Sequence, residues 1–223
     1  WQKMPIAILK KSNNILKPNM EIICDDNLIT INKKKITIKL YEWLSDYIRS
    51  TLPGLVKLYD ANFQGSLSAI KFSLIEQIGV ARKDKLGIDF NKLSRTEKKE
   101  LRMLGIFIGE KYIYFKKIFN DKQFFLRSLL MQIYGNINQK KLELIDNIII
   151  RDSKNPIFYI KLGYFKSNNL IIRPDIIEKL MKLIRNQRQR EKSYKFILNN
   201  QVSQEIGLQK SKIEELLIGL DYC

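Results

Sequence analysis

The 223-residue sequence predicts a mainly α chain of the α+β class: a helical bundle with a short β-containing N-terminal lead-in, small β pieces farther on, and a helix-turn-helix-like hairpin at the end. Three observations predict it. Apolar residues recur at three- and four-residue steps through most of the length, the spacing of one helical face. Short β-branched runs such as Ile148-Ile149-Ile150 interrupt that pattern. Helix punctuation falls between the periodic stretches, including a Ser94-Arg95-Thr96-Glu97 capping box, Gly79, and Pro174 at a first helical position.

Residues 1 to 36 read as an extended lead-in. Ile6 and Ile8, Glu21 to Cys24 and Leu28 to Ile31 are short pieces separated by Asn, Asp, Pro and Lys. Over 37–60, Tyr41, Leu44, Ile48, Leu52, Leu55 and Tyr59 define a helix that Pro53 must kink or divide. A second helix spans about 65–77, with Leu67, Ile70, Leu74 and Ile78 on one face and Gly79 ending it left-handed. The helix opened by the capping box should end at Gly105. Ile106 to Ile108 and Tyr112 to Phe115, flanking Gly109, make a strand pair or a sharp corner.

A further helix follows Asn120, carries Phe124, Phe125, Leu129, Ile133 and Tyr134, and stops at Gly135. The Ile148 run then suggests a strand or core segment, Asn155-Pro156 a turn, and residues 163–172 a hairpin around Ser167-Asn168-Asn169. After Pro174, Ile177, Leu180, Met181 and Ile184 form a buried stripe. A helix near 200–206, a turn at Gly207 and a helix over about 210–220 have helix-turn-helix spacing, or form a small hairpin whose apolar residues are core. Three regions result: the lead-in 1–36, a helical region 37–135, and a basic α+β, largely helical subdomain 136–223.

Forty Lys and Arg against 23 Asp and Glu give a formal net charge of +17 and a pI near 9.7. Polyanions are the natural partners, since each neutralised phosphate releases counterions. Lysine outnumbers arginine and Ile and Asn are abundant, so part of this excess is compositional bias. The charge is also spread along the chain, and by itself locates no site.

Histidine is absent, which excludes nucleophilic triads with a His base and imidazole metal sites. Two cysteines, Cys24 and Cys223, supply neither a disulfide framework nor a four-thiolate zinc site. Gly105 to Gly109 is followed by Glu110 and Lys111, without the Gly-Lys-Ser/Thr ending that holds phosphate and magnesium. No catalytic residue and no metal ligand is therefore assigned. With no bilayer-length apolar run and no signal-peptide pattern, the chain reads as cytoplasmic, without a membrane partner.

The sharpest electrostatic feature is the series Lys179, Lys182, Arg185, Arg188, Arg190, Lys192 and Lys195, candidates for tracking a phosphate backbone; a solvated helix end, favoured by the macrodipole, is the alternative. Tyr112 and Tyr114, beside Lys111, Lys116 and Lys117, are candidates for base stacking, with core packing as the alternative.

Several segments, in order, resemble the C-terminal region of superfamily II RNA helicases related to the mitochondrial degradosome helicase, especially alphaproteobacterial members. They are Trp1-Gln2 with Pro5 to Ala7 before Leu9, Leu16 to Pro18, Leu40 to Leu44, Gly65 with Phe72, Leu74, Ile75 and Glu76, Gly79-Val80, Leu101-Arg102 with Gly105, Gly109 and Tyr114, then Gly163-Tyr164, Asp175-Ile176, Leu180 and Leu183 to Arg185, and Gly207 with Leu220 and Tyr222. The sequence departs at Ser68, Phe107, Tyr112 and Lys116, where the family tends to carry Arg, a basic residue, His and Pro. The resemblance implies an ATP-dependent 3'-to-5' unwinding enzyme whose RecA-like domains, with their ATP and Mg, lie upstream of Trp1. It implies no cofactor in this segment, and helices that pack on the motor and help enclose RNA or another single strand. A free-standing helix-turn-helix DNA-binding regulator and a protein-docking scaffold are the competing expectations.

Overall fold

The computed structural model describes residues 5–23, 33–137, 149–151, 156–168, 170–191, 198, 200–220 and 222. Within them the chain is mostly helical, with nine α-helices and three small antiparallel sheets, an α+β architecture. The lead-in is a two-stranded hairpin, β1 (Ala7–Lys10) and β2 (Asn19–Ile22), paired Ala7 to Ile22 and Lys10 to Asn19. It leans on the first helix, α1 (Lys33–Thr51), where the Tyr41 hydroxyl accepts the Met20 N–H at 2.9 Å. The piece expected at Leu28 to Ile31 lies outside the described residues.

Pro53 divides rather than kinks the long helical stretch. Lacking an N–H, it is tolerated as the first residue of α2 (Pro53–Asp60), and Leu52 between the helices is 1% exposed. Next comes α3 (Gly65–Glu76), ended by two left-handed residues, Ile78 and Gly79. The strand that follows, β3 (Val80–Arg82), had no signal of its own: it is three residues long and its partner β5 lies some thirty residues downstream. A 3-10 turn at Lys83–Lys85 leads to α4 (Arg95–Met103), whose capping box is complete. Ser94 Oγ accepts the Glu97 N–H at 3.1 Å and Glu97 Oε2 accepts the Ser94 N–H at 2.7 Å.

The strand pair expected around Gly109 is present as β4 (Ile106–Ile108) and β5 (Tyr112–Phe115), in a sheet ordered β3-β5-β4. All four residues of β5 are buried. After it, α5 (Asp121–Gly135) is capped by Asn120, whose side chain accepts the Gln123 N–H. Gly135 is still helical; the left-handed stop is Asn136, with φ 49°, a conformation that asparagine tolerates.

A third sheet, ordered β6-β8-β7, comprises β6 (Ile149–Arg151), β7 (Phe165–Ser167) and β8 (Leu170–Ile172), the last two forming the expected hairpin. Where a turn was expected at Pro156, that residue opens a short helix, α6 (Pro156–Lys161), which buries Phe158 and Tyr159. The chain ends with α7 (Pro174–Glu191), α8 (Asn200–Ile206) and α9 (Lys210–Gly219).

One buried cluster runs from Ile15 to Leu220, so the division expected at 135/136 is not a gap in the core. Two contacts show how closely the regions join. Gly163, after α6, sits on β3 so tightly that a Cβ there would lie 2.5 Å from Val80 Cγ1. The fully buried Arg127 guanidinium, on α5, donates to the carbonyls of Ile78 at 2.6 Å, Leu162 at 2.7 Å and Ile118 at 3.5 Å. Burial pushes its pKa down to about 10, and the three carbonyls stand where a carboxylate partner would otherwise be needed.

Candidate nucleic-acid interface

An apolar stripe and one carboxylate at its side seat α7. Its apolar stripe of Ile177, Leu180, Met181 and Ile184 is buried as expected, and beside that stripe Glu178 is buried too. Glu178 fills the concave turn between β4 and β5: Oε2 accepts the Glu110 N–H at 2.6 Å, and Oε1 accepts the Lys111 and Tyr112 N–H groups at 2.8 and 2.7 Å. Successive backbone N–H groups converging in this way form an anion-holding nest. The fit requires glycine at 109, because any Cβ there would come within 2.2 Å of the Glu178 carboxyl carbon. Burial raises the Glu178 pKa above the usual carboxylate range, against the opposing pull of the three N–H groups, with Glu110 adding to the rise.

With the stripe of Ile177, Leu180, Met181 and Ile184 facing the core, the helical advance of about 100° per residue places Lys179, Lys182 and Arg190 on the opposite face, and all three are exposed. Lys179 Nζ donates to the Glu205 carbonyl at 2.5 Å, which ties the row to α8 and leaves its charge uncompensated. Lys182 and Arg190 take part in no ion pair among the described residues. Asp175, at the opening of the same face, is bound by Arg173 at 2.6 Å and complements the positive end of the helix.

The other two arginines face elsewhere. Arg185 lies 3.8 Å from the Glu110 carboxylate, and the Arg188 guanidinium lies 5.3 Å from the centroid of the Tyr222 ring. Tyr222 donates its hydroxyl to Glu110 and has Lys111 Nζ 5.5 Å from its ring. Its pKa is pushed up to about 12, by burial first and by Glu110 second. The expected cationic series is thus split into an outward row, Lys179, Lys182 and Arg190, and a cluster around Glu110 and Tyr222. Lys192 and Lys195 lie outside the described residues.

Base stacking on Tyr112 and Tyr114 does not fit this arrangement. Tyr112 is 1% exposed and Tyr114 7% exposed, because β5 is the central strand of its sheet and is covered on both faces. Tyr114 packs against Phe107 and Phe119, and burial raises both phenol pKa values. Lysines nearby in sequence gave no sign of the long-range strand pairing that buries these rings.

At the C-terminal end, α8 and α9 turn at Gly207 and bury Val202, Ile206, Ile213, Leu216 and Leu217. On α9, Lys212 is paired with Glu215 at 2.9 Å, while Glu214 and Ile218 are exposed. Sequence reasoning missed Glu178, since a carboxylate that meets backbone N–H groups some seventy residues away leaves no local pattern. Among the described residues no group of acidic or thiol side chains is arranged to hold a metal ion, and no helix is long and apolar enough to cross a membrane. No family model, curated protein or solved structure matches the chain.

Proposed function

We propose that the chain is a polynucleotide-binding accessory region, of the kind that accompanies the RecA-like motor of an ATP-dependent RNA helicase. The observation that carries the binding part is the outward row on α7. Lys179, Lys182 and Arg190 lie along one exposed face of a helix whose opposite face is seated by a buried apolar stripe, in a chain of net charge +17. A row of this kind meets the phosphates of a single strand without reading its bases. The helicase part is supported by the ordered segments from Trp1 to Tyr222 that resemble that family, with ATP and Mg assigned to the motor domains and none to this segment.

The row favours this reading over a helix-turn-helix regulator. The face that α9 offers to a groove carries Lys210 but also Glu214 and Ile218, and its Lys212 is already paired, so a single exposed cation stands there against a carboxylate and an apolar side chain. A docking scaffold gives no reason for an outward cationic row, although it accommodates the exposed Trp43 on α1.

The test is binding of a fluorescently labelled single-stranded RNA to the purified chain by anisotropy, for wild type and for Lys182→Glu/Arg190→Glu. The reading expects salt-sensitive binding that the double variant weakens by about tenfold or more, with no ATP turnover by either protein. Undiminished affinity in the variant would refute the α7 interface, and ATP turnover would refute an accessory role.

A further inference from the structure

A cleft apart from α7 has a volume of about 750 Å³, within the range of about 300–1,000 Å³ usual for small-molecule sites. Its rim gathers cations from distant parts of the chain: Lys11 just after β1, Arg82 at the end of β3, Lys85 in the 3-10 turn, Lys161 at the end of α6 and Lys166 in β7. Among the described lining residues the only carboxylate is Glu76. Arg82 is bound in a two-point contact by Asp84 and lies 5.6 Å from the Phe165 ring. Lys85, Lys161 and Lys166 are exposed and form no ion pair among the described residues.

Like charges gathered around a concavity repel one another, and among the described residues only Glu76 in the lining and Asp84 on Arg82 offset them. The inner wall is of a different kind. Met131, Tyr134 and Ile160 line it, Ile160 remains 46% exposed, and Lys11 Nζ lies 5.6 Å from the Tyr134 ring centroid. An aromatic and apolar wall beside an anion-seeking rim matches a molecule that is flat and apolar at one end and doubly negative at the other.

We infer that this cleft binds a phosphate-bearing nucleotide unit, its phosphate against Lys85, Lys161 and Lys166 and its base against Tyr134 and Ile160. The unit is either a free mononucleotide or one nucleotide of a strand, and both present the same chemistry. An inorganic anion satisfies the rim and leaves the apolar wall wet; an acidic peptide lacks the flat ring. The site is separate from the α7 row and stands or falls without it.

The experiment is calorimetric titration of the whole chain at low salt with adenosine 5'-monophosphate, adenosine, inorganic phosphate, a six-residue oligoadenylate and hexaglutamate. The variants are Lys161→Glu/Lys166→Glu, Tyr134→Ala, Tyr134→Phe and Lys182→Glu/Arg190→Glu, each checked for an unchanged circular dichroism spectrum and thermal midpoint. The monophosphate should bind at least about tenfold tighter than adenosine or phosphate alone. Lys161→Glu/Lys166→Glu should weaken it by about tenfold or more. Tyr134→Ala should weaken it and Tyr134→Phe restore it, while the α7 variant leaves it within about twofold.

In the α7 variant, where the other strand-binding row is removed, tighter binding of the hexamer than of the monophosphate assigns the cleft to a strand, and the reverse assigns it to free nucleotide. Hexaglutamate binding as tightly as the nucleotide, phosphate binding as tightly as the monophosphate, or indifference to Lys161→Glu/Lys166→Glu overturns the proposal. Loss of long-strand binding in the α7 variant alone, with the cleft indifferent, would uphold the α7 interface and refute this one.

Discussion

Glu178 shows what one buried carboxylate does for the molecule. It accepts three backbone N–H groups from a turn that would otherwise leave them without acceptors, and it does so only because residue 109 has no side chain. Removing it in Glu178→Ala should cost about 3 kcal/mol, the penalty for stranding buried donors. Gly109→Ala should cost a similar amount by expelling the carboxylate. Since both break one contact, the double variant should lose clearly less than the sum of the two, and denaturant unfolding of all four proteins measures this; full additivity would mean that the two residues act separately.

The pH response follows from the raised Glu178 pKa. In the unfolded chain the group titrates near its usual 4.5, and in the folded protein above that, so its contribution to stability is complete below pH 4.5 and is lost as pH rises through the folded value. The thermal midpoint of wild type minus that of Glu178→Gln should therefore be larger at pH 4 than at pH 7. Arg127 makes a second residue-scale case. Arg127→Met keeps the volume and strands the carbonyls of Ile78, Ile118 and Leu162, at a cost of about 3 kcal/mol in urea unfolding. A cost below 1 kcal/mol would show that those carbonyls find other donors.

At the scale of elements, what the sequence made legible was local. The apolar stripe of α7, the capping box of α4, Pro53 as a divider and Gly79 as a stop are each set by residues within a turn or two of one another, and each is present. What escaped was set at a distance. β3 exists because β5 is there to pair with it, α6 because Phe158 and Tyr159 find a core to fill, and Tyr112 and Tyr114 are buried because β5 is central. The binding series was legible as charge but not as geometry. Seven cations looked alike in sequence, but in the fold Lys179, Lys182 and Arg190 lie opposite the buried stripe, while Arg185 and Arg188 flank it beside Glu110 and Tyr222.

That separation is testable on the element itself. Arg188→Ala, which removes a cation from beside Tyr222, should loosen the C-terminal end and lower the thermal midpoint while changing RNA affinity little. Lys182→Ala should do the reverse. Equal loss of affinity in both variants would mean that α7 presents its charge without regard to face.

For the whole molecule, the charge of +17 looked diffuse because its members are far apart in the chain. Folding gathers some of them: Lys11, Lys85, Lys161 and Lys166 come from four separate elements or turns and meet around one cleft, while α7 carries its own row on another face. A basic composition thereby becomes two distinct electropositive features, with one buried cluster holding them in place. Whether they act on the same strand is a matter of reach, which a length series of oligonucleotides resolves: a step in affinity at the length that spans both surfaces signals joint engagement.

The most direct measurement is the salt dependence of single-stranded RNA binding by the wild-type chain and by Lys182→Glu/Arg190→Glu. If three phosphates are neutralised by the α7 row, the logarithm of the binding constant should fall with the logarithm of salt concentration at a slope of about −2 or steeper, and the slope of the variant should be shallower by about 1.4. A salt-independent affinity, or the same slope in both proteins, would contradict the account.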